Sequence, residues 1–507
     1  LIIGELQRKL ATWAQDDPAR RMDRLLRLIA EHDWLEEAAR ITLSSLGSKT
    51  PGVDGVTKQH LGSDVLPGYL QHIREDLLSA QYRPAPARRI YIPKANGKQR
   101  PIGIPTLRDR IVQRAMLMAM EPIWESDFHR LSFGFRPERS VHHAIRAVKL
   151  QLTDGSDTKG RWVIEGDLAS YFDTVHHRLL MKAVRKRIRD KRFLSLLWLF
   201  IKAGHVDAGL FRAASEGVPQ GGVLSPLLSN IMLNEFDQYL EKRYLSKKAR
   251  KDRWYHNYSI KIGRGPAREQ GWTWKPSVSY CRYADDFVVV VKGTKEQADE
   301  IRTECREFLE RELKLTLNME KTHLTHVNDG FVFLGHRLIR KRHRHGRMHV
   351  FSTIPMEKAR NFRAAISKLL SGSHSVHAVD MIRALNAKLV GWAGFYQYVD
   401  NRAMVFQRID HTVFWKFAHW MARKYRCRIK PLLIRWFRAP EPGATKTWIR
   451  FDTVNGQHRA AVLQRVVGRP KGVFRWRSPV ANPYLRSHER RTITSRYRDV
   501  ATAMSHA

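Results

Sequence analysis

Ser277–Val291 reads SVSYCRYADDFVVVV. β-Forming residues from Val278 to Tyr283 lead into a tight polar break, Ala284-Asp285-Asp286, and an apolar run from Phe287 to Val291 follows. The pattern predicts a hairpin whose second strand is buried on both faces. Adjacent carboxylates at the tip of a buried hairpin repel each other and need cations to be tolerated. Mg²⁺ suits them, being a hard ion that prefers carboxylate and phosphate oxygens. Two solvated acids in a surface turn have the same letters, so the reading depends on a third carboxylate elsewhere.

WVIEGDLASYFD, residues Trp162–Asp173, supplies one. Trp162–Ile164 reads as a short apolar strand, with Asp167 just past it. Asp167, Asp285 and Asp286 together could build a site for two Mg²⁺ ions, which activate the attacking oxygen and stabilise the leaving one in phosphoryl transfer. Leu168 could add its backbone carbonyl as a ligand. Phe172 follows five residues after Asp167, close enough to face a bound sugar and exclude a 2′-hydroxyl; ordinary core packing explains it equally. Glu165 and Asp173 read as structural.

Other segments offer nucleotide contacts. In Tyr82–Asp109, a strand Arg89–Ile92 meets a turn at Ala95-Asn96-Gly97, with Lys94, Lys98 and Arg100 around it. These cations could clamp a triphosphate, or form a solvated basic turn. Ser132–Arg139 (SFGFRPER) is a loop between helical stretches. Pro219-Gln220-Gly221-Gly222 is a tight turn that lets backbone approach a ligand, and Gln220 could touch a nucleotide or template base. After it, Ser225 as N-cap and Pro226 at the first helical position predict a helix burying Leu227, Leu228, Ile231 and Phe236. Lys321, in the strand-like Leu315–Thr322, is placed either near a pyrophosphate or in solvent.

The chain has 507 residues, and its 90 Lys and Arg against 49 Asp and Glu give a formal net charge of +41. The excess is spread along the whole length, so the expected partner is a large polyanion met by a folded basic surface. Three widely spaced cysteines, Cys281, Cys305 and Cys427, form no CxxC pair. That argues against a zinc module and suits a reducing compartment. The longest notable apolar run, Phe193–Ile201, is too short to span a bilayer. No signal peptide is visible, and Leu1 in place of Met implies a trimmed start.

Residues 1–46 have helical period, as does Val65–Leu78. Residues 241–276 read as a polar, basic surface excursion. Thr294 and Gln297 predict a capping box on a helix that buries Ala298, Ile301, Cys305 and Leu309. Phe331–Gly335 is strand-like, and Arg340–His349 reads as a basic hairpin tip. Ala359–Leu370, Ala378–Tyr398 and Val405–Tyr425 are expected helices. Beyond a linker at Pro440–Pro442, strands are expected at Trp448–Phe451, Ala461–Val467 and Val473–Trp476, and a poorly ordered tail from Ser487.

The ordered set TPGVDG (Thr50–Gly55), IPKANGKQRPIGIPTLRDR (Ile92–Arg110), SFGFRP (Ser132–Pro137), EGDLASYFD (Glu165–Asp173), GVPQGGVLSPLLSNI (Gly217–Ile231), YADD (Tyr283–Asp286), LNMEKT (Leu317–Thr322) and FLG (Phe333–Gly335) resembles the reverse transcriptases encoded by group II introns. LNAKLVGWAGFY (Leu385–Tyr396) is similar to their maturase, or thumb, domain. The resemblance implies an α+β right-hand polymerase: an N-terminal helical extension of the fingers over 1–80, fingers and a palm with an antiparallel sheet over 81–340, an α-helical thumb over 341–430, and a small basic DNA-binding region over 431–507. It implies Asp167, Asp285, Asp286 and the Leu168 carbonyl as ligands of two Mg²⁺ ions. Lys94 and Arg100 would hold the triphosphate, Phe172 would exclude ribonucleotides, and Gln220 would lie beside template and nucleotide. Implied partners are the intron RNA, target DNA and dNTPs, without a membrane, in a bacterial cytoplasm and nucleoid, with one protein per intron RNA or a dimer. ANPY (Ala481–Tyr484) resembles the approach to a zinc-containing endonuclease that does not follow before Ala507, so an endonuclease-lacking type using primers from replication forks is expected. The alternatives are a splicing-only maturase and an intron-free reverse transcriptase in defence or repair.

Overall fold

The structure is a computed structural model. It describes residues 3–93, 97, 99–153, 161–207, 209–214, 216–218, 221–262, 265–342, 346, 348–372, 374–454 and 457–485. Two compact units result: Leu1–Val148 with Thr158–Thr325 and Trp476–Ala507, and Lys149–Asp157 with His326–Arg475. Each has its own hydrophobic core.

The first unit is built on a four-stranded sheet in the order His323–His326, Arg161–Gly166, Asp286–Lys292, Ser277–Tyr283, the last three strands antiparallel. Tyr283 pairs with Asp286, so the hairpin closes through the two-residue turn Ala284-Asp285. Val288 to Val291 are buried without alternation because both faces of the sheet are covered. On one face Tyr280 and Phe287 meet Phe236 of helix Ser225–Leu240 edge-on. Tyr239 of that helix stacks on Phe308 of helix Lys295–Glu312 at 4.1 Å. On the other face, Cys281 Sγ lies 3.8 Å from the Ala144 carbonyl in helix Val141–Leu152. The expected capping box at Thr294 and Gln297 is formed, and Cys305 is a fully buried core residue.

The N-terminal helices Ile3–Asp16, Leu25–Ile29, His32–Ser44 and Leu66–Leu78 share a core with the long helix Leu107–Glu125. Trp34 is fully buried there and donates its indole N–H to the Ala115 carbonyl. A second sheet carries the basic hairpin Ala87–Pro93/Gln99–Ile104, extended by the short strands His205–Asp207 and Leu210–Arg212. Trp476–Leu485 returns to this unit: Arg139 donates to the Pro479 carbonyl, and the Tyr484 hydroxyl donates to Glu121.

In the second unit, a three-stranded sheet (Phe331–Phe333, His336–Arg342, Met348–Thr353) precedes helices Met356–Leu370, Ala378–Phe395, Arg402–Lys424 and Ile429–Trp436. A further sheet, Phe437–Arg438, Thr447–Val454 and Gln457–Val462, completes the helical core with Trp448, which is 1 % exposed.

Several local expectations are corrected. Leu315–Thr322 joins no sheet: Leu317 makes a single bridge to Leu168, and Asn318 then turns the chain by accepting the Lys321 and Thr322 N–H groups. Ser225 does not cap its helix; Leu224 stands at the cap and Pro226 is the second helical residue. Pro440–Pro442 lies between two strands of one sheet, so it is a loop rather than a linker. The strand expected at Ala461–Val467 stops at Val462, and Val473–Trp476 forms none. The excursion after Leu240 begins inside the core, where Tyr244 and Leu245 are buried, and continues into the hairpin Arg253–Ile262/Gly265–Trp274. The tail from Ser487 lies outside the described residues. Among the described residues no helix is long and apolar enough to cross a membrane.

Candidate active site

Antiparallel pairing brings the three aspartates to one end of the central sheet. Gly166 pairs with Phe287, so Asp167, leaving one strand, comes beside Asp286, entering the next. A Cβ on Gly166 would lie 2.1 Å from the Phe287 ring, so a larger residue there would have to displace that ring. The Asp167 carbonyl accepts the Asn318 N–H at 2.8 Å, and the Thr316 carbonyl accepts the Ala169 N–H at 3.0 Å. In an antiparallel bridge flanked by such bonds, the intervening residue turns its own N–H and C=O away from the partner segment. The Leu168 carbonyl therefore points away from Thr316–Asn318.

The turn is strained and held. Ala284 has φ +56°, a left-handed conformation that costs an L-residue about 1–2 kcal/mol. Arg282, fully buried, donates Nη1 to the Ala284 carbonyl at 2.9 Å. Its Nε and Nη2 bind Asp237 as a fork at 2.8 and 2.6 Å. Asn230, two turns earlier on the same helix, accepts from Arg282 Nη1 and donates to the Gly134 carbonyl. Gly134 belongs to the SFGFRP loop, and a Cβ on it would lie 2.3 Å from the Ala284 nitrogen. That loop is fixed by Arg136, which binds buried Glu125 through two 2.9 Å hydrogen bonds.

Sequence reasoning found the aspartates and missed the groups behind them: Arg282, Asp237, Asn230, Gly134 and Gly166. The available signal was an arginine inside a buried strand and two polar residues seven apart on the buried face of an apolar helix. A buried charge needs a partner.

Burial raises the Asp285 pKa, and the Asp167 charge adds to the rise, while Arg100 and Arg282 oppose it. Burial and the charges of Asp285 and Asp167 push Asp286 up to about 6. Carboxylates gathered so closely that the charges of Asp167 and Asp285 raise a neighbour's pKa have the chemistry that suits a hard cation. Lys321 Nζ sits 3.0 Å from Asp167 Oδ2. Phe172 is half-buried, edge-on to Tyr171, and lines a recess of about 400 Å³ with Arg89, Gly103 and Val218. Glu165 accepts from the Thr325 hydroxyl, a structural contact. Lys94, Lys98 and Gln220 lie outside the described residues. Another trio, His32, Asp33 and Glu36, has ligand atoms within 4.8 Å of one another, but all three are exposed side chains of one helix surface.

The family model "Reverse transcriptase (RNA-dependent DNA polymerase)" matches residues 92–338, and "Group II intron, maturase-specific domain" matches 359–436. The group II intron-encoded protein LtrA of Lactococcus lactis subsp. cremoris is 30% identical over 435 residues, 75% of this chain and 71% of the relative. The chain belongs to the group II intron-encoded reverse transcriptases. Protein YkfC of Escherichia coli K12 is 72% identical over 370 residues, 73% of this chain and 97% of the relative. The putative COX1/OXI3 intron 2 protein of Saccharomyces cerevisiae is 25% identical over 496 residues, 86% of this chain and 56% of the relative. As a group II intron-encoded reverse transcriptase, this protein is an RNA-directed DNA polymerase with an α+β polymerase fold and a splicing maturase domain, and its polymerase domain uses divalent metal ions.

The raised Asp286 pKa has a checkable sign. Raised to about 6 from the ordinary 3.8, it makes the folded chain bind the extra proton between those limits. Without a cation, the associated stability is present below pH 4, falls as pH rises to about 6, and is lost above. In chelator, Asp286→Asn is therefore expected to gain melting temperature over wild type as pH rises from 5 to 7, and saturating divalent ion should erase the gain. A pH-independent difference would contradict the assignment.

Proposed function

We propose that this protein copies group II intron RNA into DNA by two-Mg²⁺ nucleotidyl transfer at Asp167, Asp285 and Asp286, and carries the intron to a DNA target. The observation that supports this best is the convergence of three carboxylates, Asp167 and Asp285 partly buried and Asp286 exposed, at one sheet end. When bound, the ions lower the pKa of the primer 3′-hydroxyl and neutralise charge building on the leaving pyrophosphate. The Leu168 carbonyl, turned away from Thr316–Asn318, is the fourth oxygen of the site. Lys321 neutralises Asp167 in the resting chain. On nucleotide binding it swings to the pyrophosphate, freeing that carboxylate.

Lys94 and Arg100 hold the triphosphate. The charge of Arg100 opposes the rise in the Asp285 pKa, which supports a role for it beside the aspartates. Phe172, presented at the rim of the recess, stacks under the sugar and excludes a 2′-hydroxyl. Gln220 reads the template–nucleotide pair. In this reading residues 1–80 extend the fingers, 81–340 form fingers and palm, 341–430 the thumb, and 431–507 a basic DNA-binding region. The protein acts in the bacterial cytoplasm and nucleoid, one copy or a dimer per intron RNA, with dNTPs and target DNA as its other partners.

Primer extension on RNA with dNTPs and Mg²⁺, run beside an intron-splicing assay, tests the reading. DNA synthesis together with faster splicing is the expected result. Splicing without synthesis would leave a maturase alone, and synthesis without any effect on splicing would leave an intron-free polymerase.

A further inference from the structure

Helix Arg402–Lys424 presents one face to solvent, on which Met404, Arg408, His411, Trp415 and His419 follow at spacings of four, three, four and four. Trp415 is 44 % exposed, unusual for so large an apolar side chain. It is nevertheless held. Its indole N–H donates to His411 Nε2 at 3.1 Å, and its ring is flanked by Phe414 at 5.1 Å and His419 at 6.3 Å. With the N–H engaged, the indole has only its π-face left to offer a ligand.

The charge around it has one sign. Between residues 407 and 440 the sequence holds nine Lys and Arg and a single carboxylate, Asp410. Asp410 is turned inward and accepts the Val466 and Val467 N–H groups. Arg408, Lys416 and Arg423 are exposed beside the Trp415 row. A fixed aromatic face among unopposed cations matches the chemistry of an unpaired base with its flanking phosphates. A duplex hides its base faces in the stack, and an apolar protein partner would leave the cations uncompensated.

We propose that this face binds a single-stranded segment of RNA, one base stacked on Trp415 and the adjacent phosphates on Arg408, Lys416 and Arg423. The assignment of that segment to the intron rests on the function proposed above.

Binding of the full chain to the intron RNA, to a twelve-nucleotide oligouridine and to a blunt primer–template duplex tests it, with a melting curve for each variant. Trp415→Ala is expected to weaken intron RNA and oligouridine binding by about five- to a hundredfold, the range of one base–aromatic stack. Trp415→Phe should retain most of the affinity. Arg408→Gln and Lys416→Gln should each lower the salt slope for oligouridine by about 0.7. With 5-iodouridine in the RNA, photo-crosslinking should mark the tryptic peptide 409–416. Unchanged affinity in Trp415→Ala, or a loss confined to the duplex, overturns the proposal. If the wild type binds the intron no better than an unrelated RNA while Trp415→Ala still loses oligouridine, the single-strand site stands and the intron reading fails.

Discussion

Asp285→Asn is expected to lower the rate of nucleotide incorporation by at least about a thousandfold, about 4 kcal/mol of barrier, in single-turnover primer extension. The substitution keeps the shape of the turn and removes one charge from a cluster in which Asp167 raises the Asp285 pKa and Asp285 that of Asp286. Their repulsion is a cost the metal-free chain carries for function. The same variant should therefore melt higher than wild type in chelator, by about 2 °C for each kcal/mol relieved. It should also lose the rise in melting temperature that wild type gains from Mg²⁺. Splicing assistance should persist, because the maturase match lies at 359–436, far along the chain from residue 285. An incorporation rate within tenfold of wild type would remove Asp285 from the metal site. A variant that is inactive and also melts lower than wild type would instead mean that Asp285 supports the turn.

What the sequence made legible were features carried by a few adjacent residues. The β-forming residues, polar break and valine run of Ser277–Val291 predicted the hairpin, and Thr294 with Gln297 predicted the helix start, because strand composition and capping are local. Asp167 was legible as a carboxylate following a short apolar strand. The supporting layer was not, because it is formed across sequence distance: Arg282 finds Asp237 forty-five residues away, and Gly134 is required by Ala284. Leu315–Thr322 has strand composition, yet Asn318 spends its N–H on Asp167 and its carbonyl on Lys321 and Thr322, a competition invisible in propensities. Trp476–Leu485 has no period at all, and it is fixed by individual contacts to Arg139 and Glu121.

That supporting layer has the second large effect. The Arg282–Asp237 pair is completely buried at 2.6 Å, and Tyr280 also donates its hydroxyl to Asp237. Removing one partner strands a charge in the core, which costs about 3–5 kcal/mol, whereas replacing both by apolar groups is often neutral. Arg282→Met and Asp237→Leu alone should each lower the opening free energy of the hairpin amides by that amount in native-state hydrogen exchange. This local readout suits a chain of two units, for which a single unfolding free energy is ill-defined. The double variant should recover most of the protection. It should not recover DNA synthesis. Without the Arg282 donors, the Ala284 carbonyl loses its anchor and Asn230 no longer ties the turn to the Gly134 loop. Asp285 then samples positions away from the metal, and incorporation should stay at least about tenfold down, since misplacement by about 1 Å can cost a hundredfold. If the double variant regains both protection and wild-type rate, the ion pair serves stability alone. If it regains protection but stays slow, the pair fixes where the carboxylates point, and the left-handed Ala284 turn is strain the fold retains to aim them.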